Sequence, residues 1–143
     1  MKYFYPLLEN TLSKEDLEAD IKVIKSEQLT MSKKTTEFEK QFAKKMGAKF
    51  ALMVKSGSSA NLLATFAAGN PLRKNRFKNG DEALIPAVCW PTSLWPLIQA
   101  GLKPKFVDVE KNTLNVDPEK LISAISKKTK VILLIHVLGN STN

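Results

Sequence analysis

One cysteine and one histidine among 143 residues remove several chemistries at once. With Cys89 alone there is no internal disulfide and no cysteine-rich zinc site. With His136 alone there is no histidine metal cluster and no triad with a base to spare, so no metal is expected. Long apolar runs are missing too. The longest, Val131 to Leu138, has His136 inside it and falls far short of the ~20 residues that cross a bilayer. The opening MKYFYPLLEN lacks the apolar stretch of a signal peptide. No membrane partner and a cytoplasmic location are the expectations. Internal repeats and linker-like segments are absent as well.

What remains is 43% hydrophobic and 25% charged, the make-up of one globular domain, long enough for a core and short for a two-domain enzyme. Lysine and arginine number 22 against 14 acids, a net charge of +8, which suits nucleic acid, a membrane surface or phosphorylated small molecules. The lysines occur in scattered pairs (Lys33-Lys34, Lys44-Lys45, Lys127-Lys128) near acids, not in a block with interleaved aromatics. A solvated basic surface fits this better than a nucleic-acid face.

Ser13 with Asp16 forms a capping-box pattern, and Leu17, Ile21 and Ile24 recur at helical spacing to about Lys25. Thr36 with Glu39 repeats the pattern for a second amphipathic helix, carrying Phe38, Phe42 and Met46 and closing at Gly47. The polar SEQLTMSKK between them reads as loop. Phe50 to Val54 (FALMV) reads as a buried strand that turns through SGSSAN into a helix ending at Gly69-Asn70-Pro71. Asn79-Gly80-Asp81 is a turn, Ala83 to Pro86 a second strand, and Pro91 to Ala100 a helix closed by Gly101. Lys105 to Val109 is a third strand, Asp117-Pro118 opens another helix, and Lys130 to Val137 is a fourth, fully buried strand. Alternating strands and helices predict an α/β fold, mostly parallel, with helices on both faces of the sheet.

The small residues Ser56 to Asn61, placed before a helix, expose backbone N–H groups at the positive end of its dipole, where an anion can be held. Ser58 or Ser59 acting simply as N-cap explains the stretch equally well. It is neither a Walker loop nor a dinucleotide fingerprint. In parallel sheets ligands collect beyond the carboxyl ends of strands, so SGSSAN and PAVCWPTSLWP should open onto one crevice. Trp90 there can stack on a flat ring, although Trp90 and Trp95 are each also explained by ordinary packing. Cys89 reads as a spectator thiol. His136 faces the crevice or is a satisfied buried histidine, the pattern favouring burial. Asp108 is a crevice group or the solvent side of a strand.

Taken together, SEQLTMS, EFEKQFAKKMGAKFALMVKSGSSANLLA, GDEALIPAVCWPTSLWPLIQAGLKPKFVDVE, LNVD and KVILLIHVLGN resemble the DegT/StrS-type sugar aminotransferases, fold-type-I pyridoxal-phosphate enzymes. The likeness runs from about Pro6 to Asn140 with the motifs in the family's order. It implies pyridoxal 5'-phosphate or pyridoxamine 5'-phosphate as cofactor. Gly57, Ser58, Ser59 and Ala60 match the turn that holds the cofactor phosphate, and Trp90 matches the residue stacked on the pyridine ring. Thr30 and Met31 match a loop near the nucleotide-sugar substrate, while His136 and Asn140, with Gly139, match a strand end and turn at the crevice. Ser32 departs from the family, which has glycine there.

The resemblance divides the chain into an N-terminal helical segment with an active-site loop, 1–35, and an incomplete cofactor-binding large domain, 36–143. The family's pyridine-binding Asp and Schiff-base Lys match no position of this sequence, so no catalytic residue is assigned and the chain alone is expected to be inactive. The activity implied for a complete enzyme is amino transfer, usually from glutamate, to a keto sugar on a nucleotide, by a homodimer making polysaccharide or deoxysugar precursors. WPTSLWPLIQAGLKPKFVDV and HVLGN also resemble the pyridoxamine-phosphate-dependent 3-dehydrases, in which His replaces the Schiff-base Lys and a hydroxyl is removed. A non-catalytic α/β module that binds a phosphorylated ligand is the alternative of another class.

Overall fold

The computed structural model describes residues 11–142; MKYFYPLLEN, read above as no signal peptide, lies outside the described residues. The chain divides into two compact units, Met1–Met53 and Val54–Asn143.

In the first unit, α1 (Lys14–Lys25) starts in the capping box that its sequence predicts. The Ser13 hydroxyl accepts from the Asp16 N–H at 3.1 Å and the Asp16 carboxylate from the Ser13 N–H at 2.9 Å. Backbone N–H groups in this turn hold the Glu15 and Asp16 carboxyls below their usual range. The second helix, α2 (Lys33–Lys45), starts earlier than the Thr36–Glu39 pattern predicts, with Ser32 as N-cap. The Thr36 N–H is already committed to the Ser32 carbonyl at 3.2 Å, and Glu39 turns instead to the Met53 N–H at 2.8 Å. At the other end Gly47 takes φ +65, and the Ala48 N–H reaches back to the Ala43 carbonyl at 2.9 Å, the glycine-closed terminus expected from the sequence.

FALMV is not a strand. Nothing among the described residues pairs with it, Phe50 is 79% exposed, and the Met53 donor that a ladder would need is taken by Glu39. Apolar character alone does not make a strand without a neighbour to complete its hydrogen bonds.

The second unit runs α3 (Gly57–Ala68), β1 (Glu82–Pro86), α4 (Pro91–Gln99), β2 (Lys103–Val107), α5 (Pro118–Ala124) and β3 (Thr129–Ile132). The three strands form a parallel sheet in the order β2-β1-β3. Central β1 is buried on both faces. Ala83 and Ile85 meet Phe77, Leu97 and Leu102, with Ala68 of α3 beside them; Leu84 on the opposite face meets Val107 and Val116, with Leu121 and Ala124 of the α5 layer. Helices therefore cover both faces, as the alternating pattern predicts.

Two strand boundaries differ from the sequence reading. The β2 strand ends at Val107 because β1 ends opposite it at Pro86, so Asp108 lies past the strand and Val109 makes only an isolated bridge to Val116. Of the predicted 130–137 strand only 130–132 lies in β3 (Thr129–Ile132), and its exposure alternates: as an outer strand it is covered less than β1, not fully buried. On β2, the Lys103 N–H donates to the Asp81 carbonyl and the Val107 carbonyl accepts from Ala87, both at 2.8 Å. Odd-numbered residues thus face β1, and Pro104 points its nitrogen to the open edge.

Both ends of α4 follow local rules. Pro91 occupies the first helical position, and Gly101 at φ +82 closes the helix, with the Leu102 N–H on the Leu97 carbonyl at 3.0 Å. Asp117 caps α5 by accepting from the Glu119 and Lys120 N–H groups at 3.0 and 3.1 Å.

Candidate functional site

The loop-to-helix junction expected at SGSSAN is present, although no strand precedes it. Ser56, not Ser58 or Ser59, is the N-cap, its Oγ accepting from the Ser59 N–H at 3.2 Å. Gly57, Ser58, Ser59 and Ala60 form the first turn. Ala60 donates to the Ser56 carbonyl at 3.0 Å, which leaves the Gly57 and Ser58 N–H groups without a partner among the described residues. No acid stands in this first turn, so the dipole of a 12-residue helix ends there uncompensated. A Cβ on Gly57 would meet nothing within 4 Å among the described residues, which therefore place no steric demand on this glycine and leave the space over it open.

α4 packs beside α3. The Asn61 amide reaches the buried Ser93 hydroxyl at 3.5 Å, one turn into each helix, so the two N-termini lie side by side. Between them opens a cleft of about 360 Å³ lined by Lys55, Ser58 and Ser59 on one side and Thr92, Trp95 and Gln99 on the other. Pro96, inside α4 and also lining the cleft, supplies no N–H to the Thr92 carbonyl. Lys55 and Trp95 line this cleft, and sequence reasoning did not select them. The signal for Lys55 was its place directly before SGSSAN; for Trp95, its position one helical turn beyond Pro91. Trp90 does not line this cleft. It is the N-cap of α4, at the carboxyl end of β1, and 73% exposed.

Because β1 and β3 are parallel, the chain leaving β3 emerges at the same edge. His136 is exposed, which corrects the burial favoured by its apolar surroundings: β3 has ended four residues earlier. Its Nδ1 accepts from the Thr142 N–H at 3.1 Å. Asn140 is exposed in the following turn. Asp108, past the end of β2, is exposed and accepts from Lys120 Nζ at 2.8 Å, a bond that holds its carboxyl below the usual range and raises the lysine. Cys89 is half-buried against the core, and burial pushes its thiol up, away from the reactive thiolate.

Thr30 and Met31 lie in the first unit between α1 and α2. Met31 is 97% exposed at φ +45, whereas Ser32 has φ −80 and ψ 168. The left-handed residues of this loop are thus Glu27, at φ +57, and Met31, and Ser32 needs no glycine. No helix among the described residues is long and apolar enough to cross a membrane.

A model of the DegT/DnrJ/EryC1/StrS aminotransferase family matches residues 10–143. The chain belongs to this family. Over 136 residues it is 46% identical to a GDP-4-keto-6-deoxy-D-mannose 3-dehydratase of Yersinia pseudotuberculosis, covering 95% of this chain and 34% of that protein. The E. coli GDP-4-keto-6-deoxy-D-mannose-3-dehydratase with bound hydrated PLP superposes with a TM-score of 0.90 at 44% identity, over 97% of this chain and 36% of that one. An aminotransferase from Psychrobacter cryohalolentis superposes with a TM-score of 0.75 at 24% identity, over 92% of this chain and 32% of that one, and shows the shared fold alone. The chain spans about a third of the length of these relatives. What it holds of the family fold is α/β, a parallel sheet with helices on both faces.

Proposed function

We propose that this chain is part of a pyridoxamine-phosphate-dependent 3-dehydratase acting on a nucleotide-linked 4-keto-6-deoxy sugar. The observation that carries the reading is the 46% identity to such an enzyme across 95% of the chain. Amino transfer, the activity first implied by the motifs, has behind it the family's name and a fold-level likeness at 24% identity, and stands second.

The first turn of α3 fits the cofactor phosphate by its donor set: two partnerless N–H groups, uncompensated helix dipole and open space over Gly57, with Lys55 on the same cleft. The Gly57 and Ser58 amides and the Ser59 hydroxyl would hold the phosphate, with Ala60, its N–H on the Ser56 carbonyl, closing the turn that presents them. The bared ring of Trp90 at the end of β1 offers the plate for the pyridine. When bound, the cofactor supplies the electron sink through which the hydroxyl beside the sugar's keto group is lost. The role of this chain is to orient and exclude water: the α3 amides fix the anionic end, Trp90 fixes the ring plane, and the turn with His136 and Asn140 faces the nucleotide sugar, while Thr30 and Met31 of the first unit carry a substrate role by the family resemblance alone. In this reading the residue at the Schiff-base position, the pyridine-binding Asp and the amino-donor site come from the rest of the enzyme. The exposed Leu62, Leu63 and Phe66 of α3 are then covered in a complete homodimer.

The test is to incubate the full-length protein with pyridoxamine phosphate, glutamate and GDP-4-keto-6-deoxymannose and to weigh the product. A sugar that has lost its 3-hydroxyl oxygen supports the dehydratase; an added amine with that oxygen retained supports amino transfer instead. Spectral titration with the cofactor, weakened at least tenfold by Trp90→Ala, checks the site itself. Cofactor binding without turnover of any nucleotide sugar would point to the non-catalytic module, and turnover by the 143-residue chain alone would refute the division of labour.

A further inference from the structure

Asn115 lies between β2 and α5, is 3% exposed, and has no part in the cleft described above. Its side chain is spent on one distant turn. Nδ2 donates to the Asn140 carbonyl at 3.0 Å and the Ser141 carbonyl at 3.2 Å, and Oδ1 accepts from the Val137 N–H at 3.0 Å. Both amide hydrogens are used, so the orientation of the group is fixed by its partners. The backbone of Asn115 is held as firmly. Its N–H donates to Thr113 Oγ1 at 3.2 Å, Thr113 donates to Glu110 at 2.8 Å, and the Glu110 N–H donates to the Asn115 carbonyl at 2.9 Å.

The turn so held is one that its own residues disfavour. Leu138 has φ +54 and ψ 28, Gly139 follows at φ +81, and Leu138 is 98% exposed. A left-handed leucine that gains no packing persists only where the surroundings fix the backbone. Here the three Asn115 bonds do so, with His136 Nδ1 closing the loop on the Thr142 N–H.

We propose that Asn115 is a positioning residue: it holds the 137–141 turn, with His136 and Asn140, in its left-handed shape at the carboxyl edge of the sheet before the nucleotide sugar arrives. Ordering the turn in advance removes that cost from substrate binding. The inference rests on the reading of His136 and Asn140 as substrate-facing.

The experiment uses the full-length protein in two arms. In the first, amide hydrogen exchange without cofactor or substrate compares wild type with Asn115→Ala. Exchange across 137–142 should rise at least ~10-fold while that of β1 stays unchanged. In the second, Asn115→Ala should raise the KM for the nucleotide sugar about tenfold, with kcat within ~3-fold and cofactor affinity unchanged, and adding Leu138→Asn, which tolerates the left-handed region, should recover part of that loss. Unchanged exchange, or faster exchange in β1 as well, overturns the proposal, because Asn115 is then idle or merely a core residue. A fall in kcat and cofactor binding with no recovery overturns it too. Faster exchange in a protein whose wild type turns over no nucleotide sugar upholds the clamp and refutes the functional reading. Should Asn115→Ala not fold, Leu138→Asn alone must slow exchange of the segment; no slowing overturns the clamp.

Discussion

Replacing Gly101 by alanine isolates how the amino edge of the sheet is held. Gly101 closes α4 at φ +82, and its carbonyl accepts the Gly80 N–H at 2.8 Å, tying the helix end to the turn that enters β1. A Cβ at this position would stand 2.6 Å from Asn79 Oδ1 and 3.1 Å from its Cγ. Two costs follow: ~1–2 kcal/mol for a left-handed alanine, and ~1 kcal/mol for turning the Asn79 amide away from its rotamer. Loss of freedom in the unfolded chain offsets ~0.5–1 kcal/mol, leaving a net destabilisation of about 1.5 kcal/mol. Gly80 is the control. Its φ is +89 but nothing lies within 4 Å of a Cβ, so Gly80→Ala should show the backbone part alone. Urea unfolding followed by circular dichroism should rank G101A below G80A at unchanged m-value, and Asn79→Ala combined with G101A should recover the steric part. A G101A midpoint at or above that of G80A, or a double variant without recovery, refutes the reasoning. Since this junction lies at the end of the sheet opposite the cleft, folded G101A should bind cofactor normally.

Ser56→Ala removes the cap of α3 and should lower stability by about 1 kcal/mol while weakening cofactor binding, read by spectral titration. Gly57→Ala should separate those two effects: the described residues leave room for the methyl and helix propensity favours it, so melting should hold or rise slightly while cofactor affinity falls; unchanged affinity would remove the phosphate from this turn. The Asp108 carboxyl sits below its usual range chiefly through the Lys120 hydrogen bond. Between its folded and unfolded values the unfolded chain binds the extra proton, so this contribution is present above about pH 4 and lost as pH falls through the lower folded value. Asp108→Asn should flatten that acid limb in thermal melts taken from pH 5 downward, and an unaltered limb would show the pair to be idle.

The helix ends were legible because their signals are local. Ser13-Asp16, Asp117-Pro118, Pro91 and the closing glycines Gly47 and Gly101 each act within one turn of themselves. Strands were legible only where the pattern coincided with a partner. FALMV has the composition of a buried strand, but pairing is a property of two segments, and Glu39 from α2 takes the Met53 donor. The same dependence shortened β3 and moved β2 by two residues. In the site, SGSS announced its free amides, whereas Trp95 became a cleft residue only through the packing of α4 on α3. Asn115 was the least visible of all, since its partners are 22 to 26 residues away.

Pro104 gives the sheet a direction of growth. The outer margin of β2 presents Pro104, a residue with no N–H to offer, and such a margin resists templating by another chain. Among the described residues the outer margin of β3 has no such guard beyond Lys130. Any strand joining this sheet, whether from the same polypeptide or from a neighbour in a crowded refolding mixture, therefore joins along β3, and a proline placed there would cap the sheet at both sides.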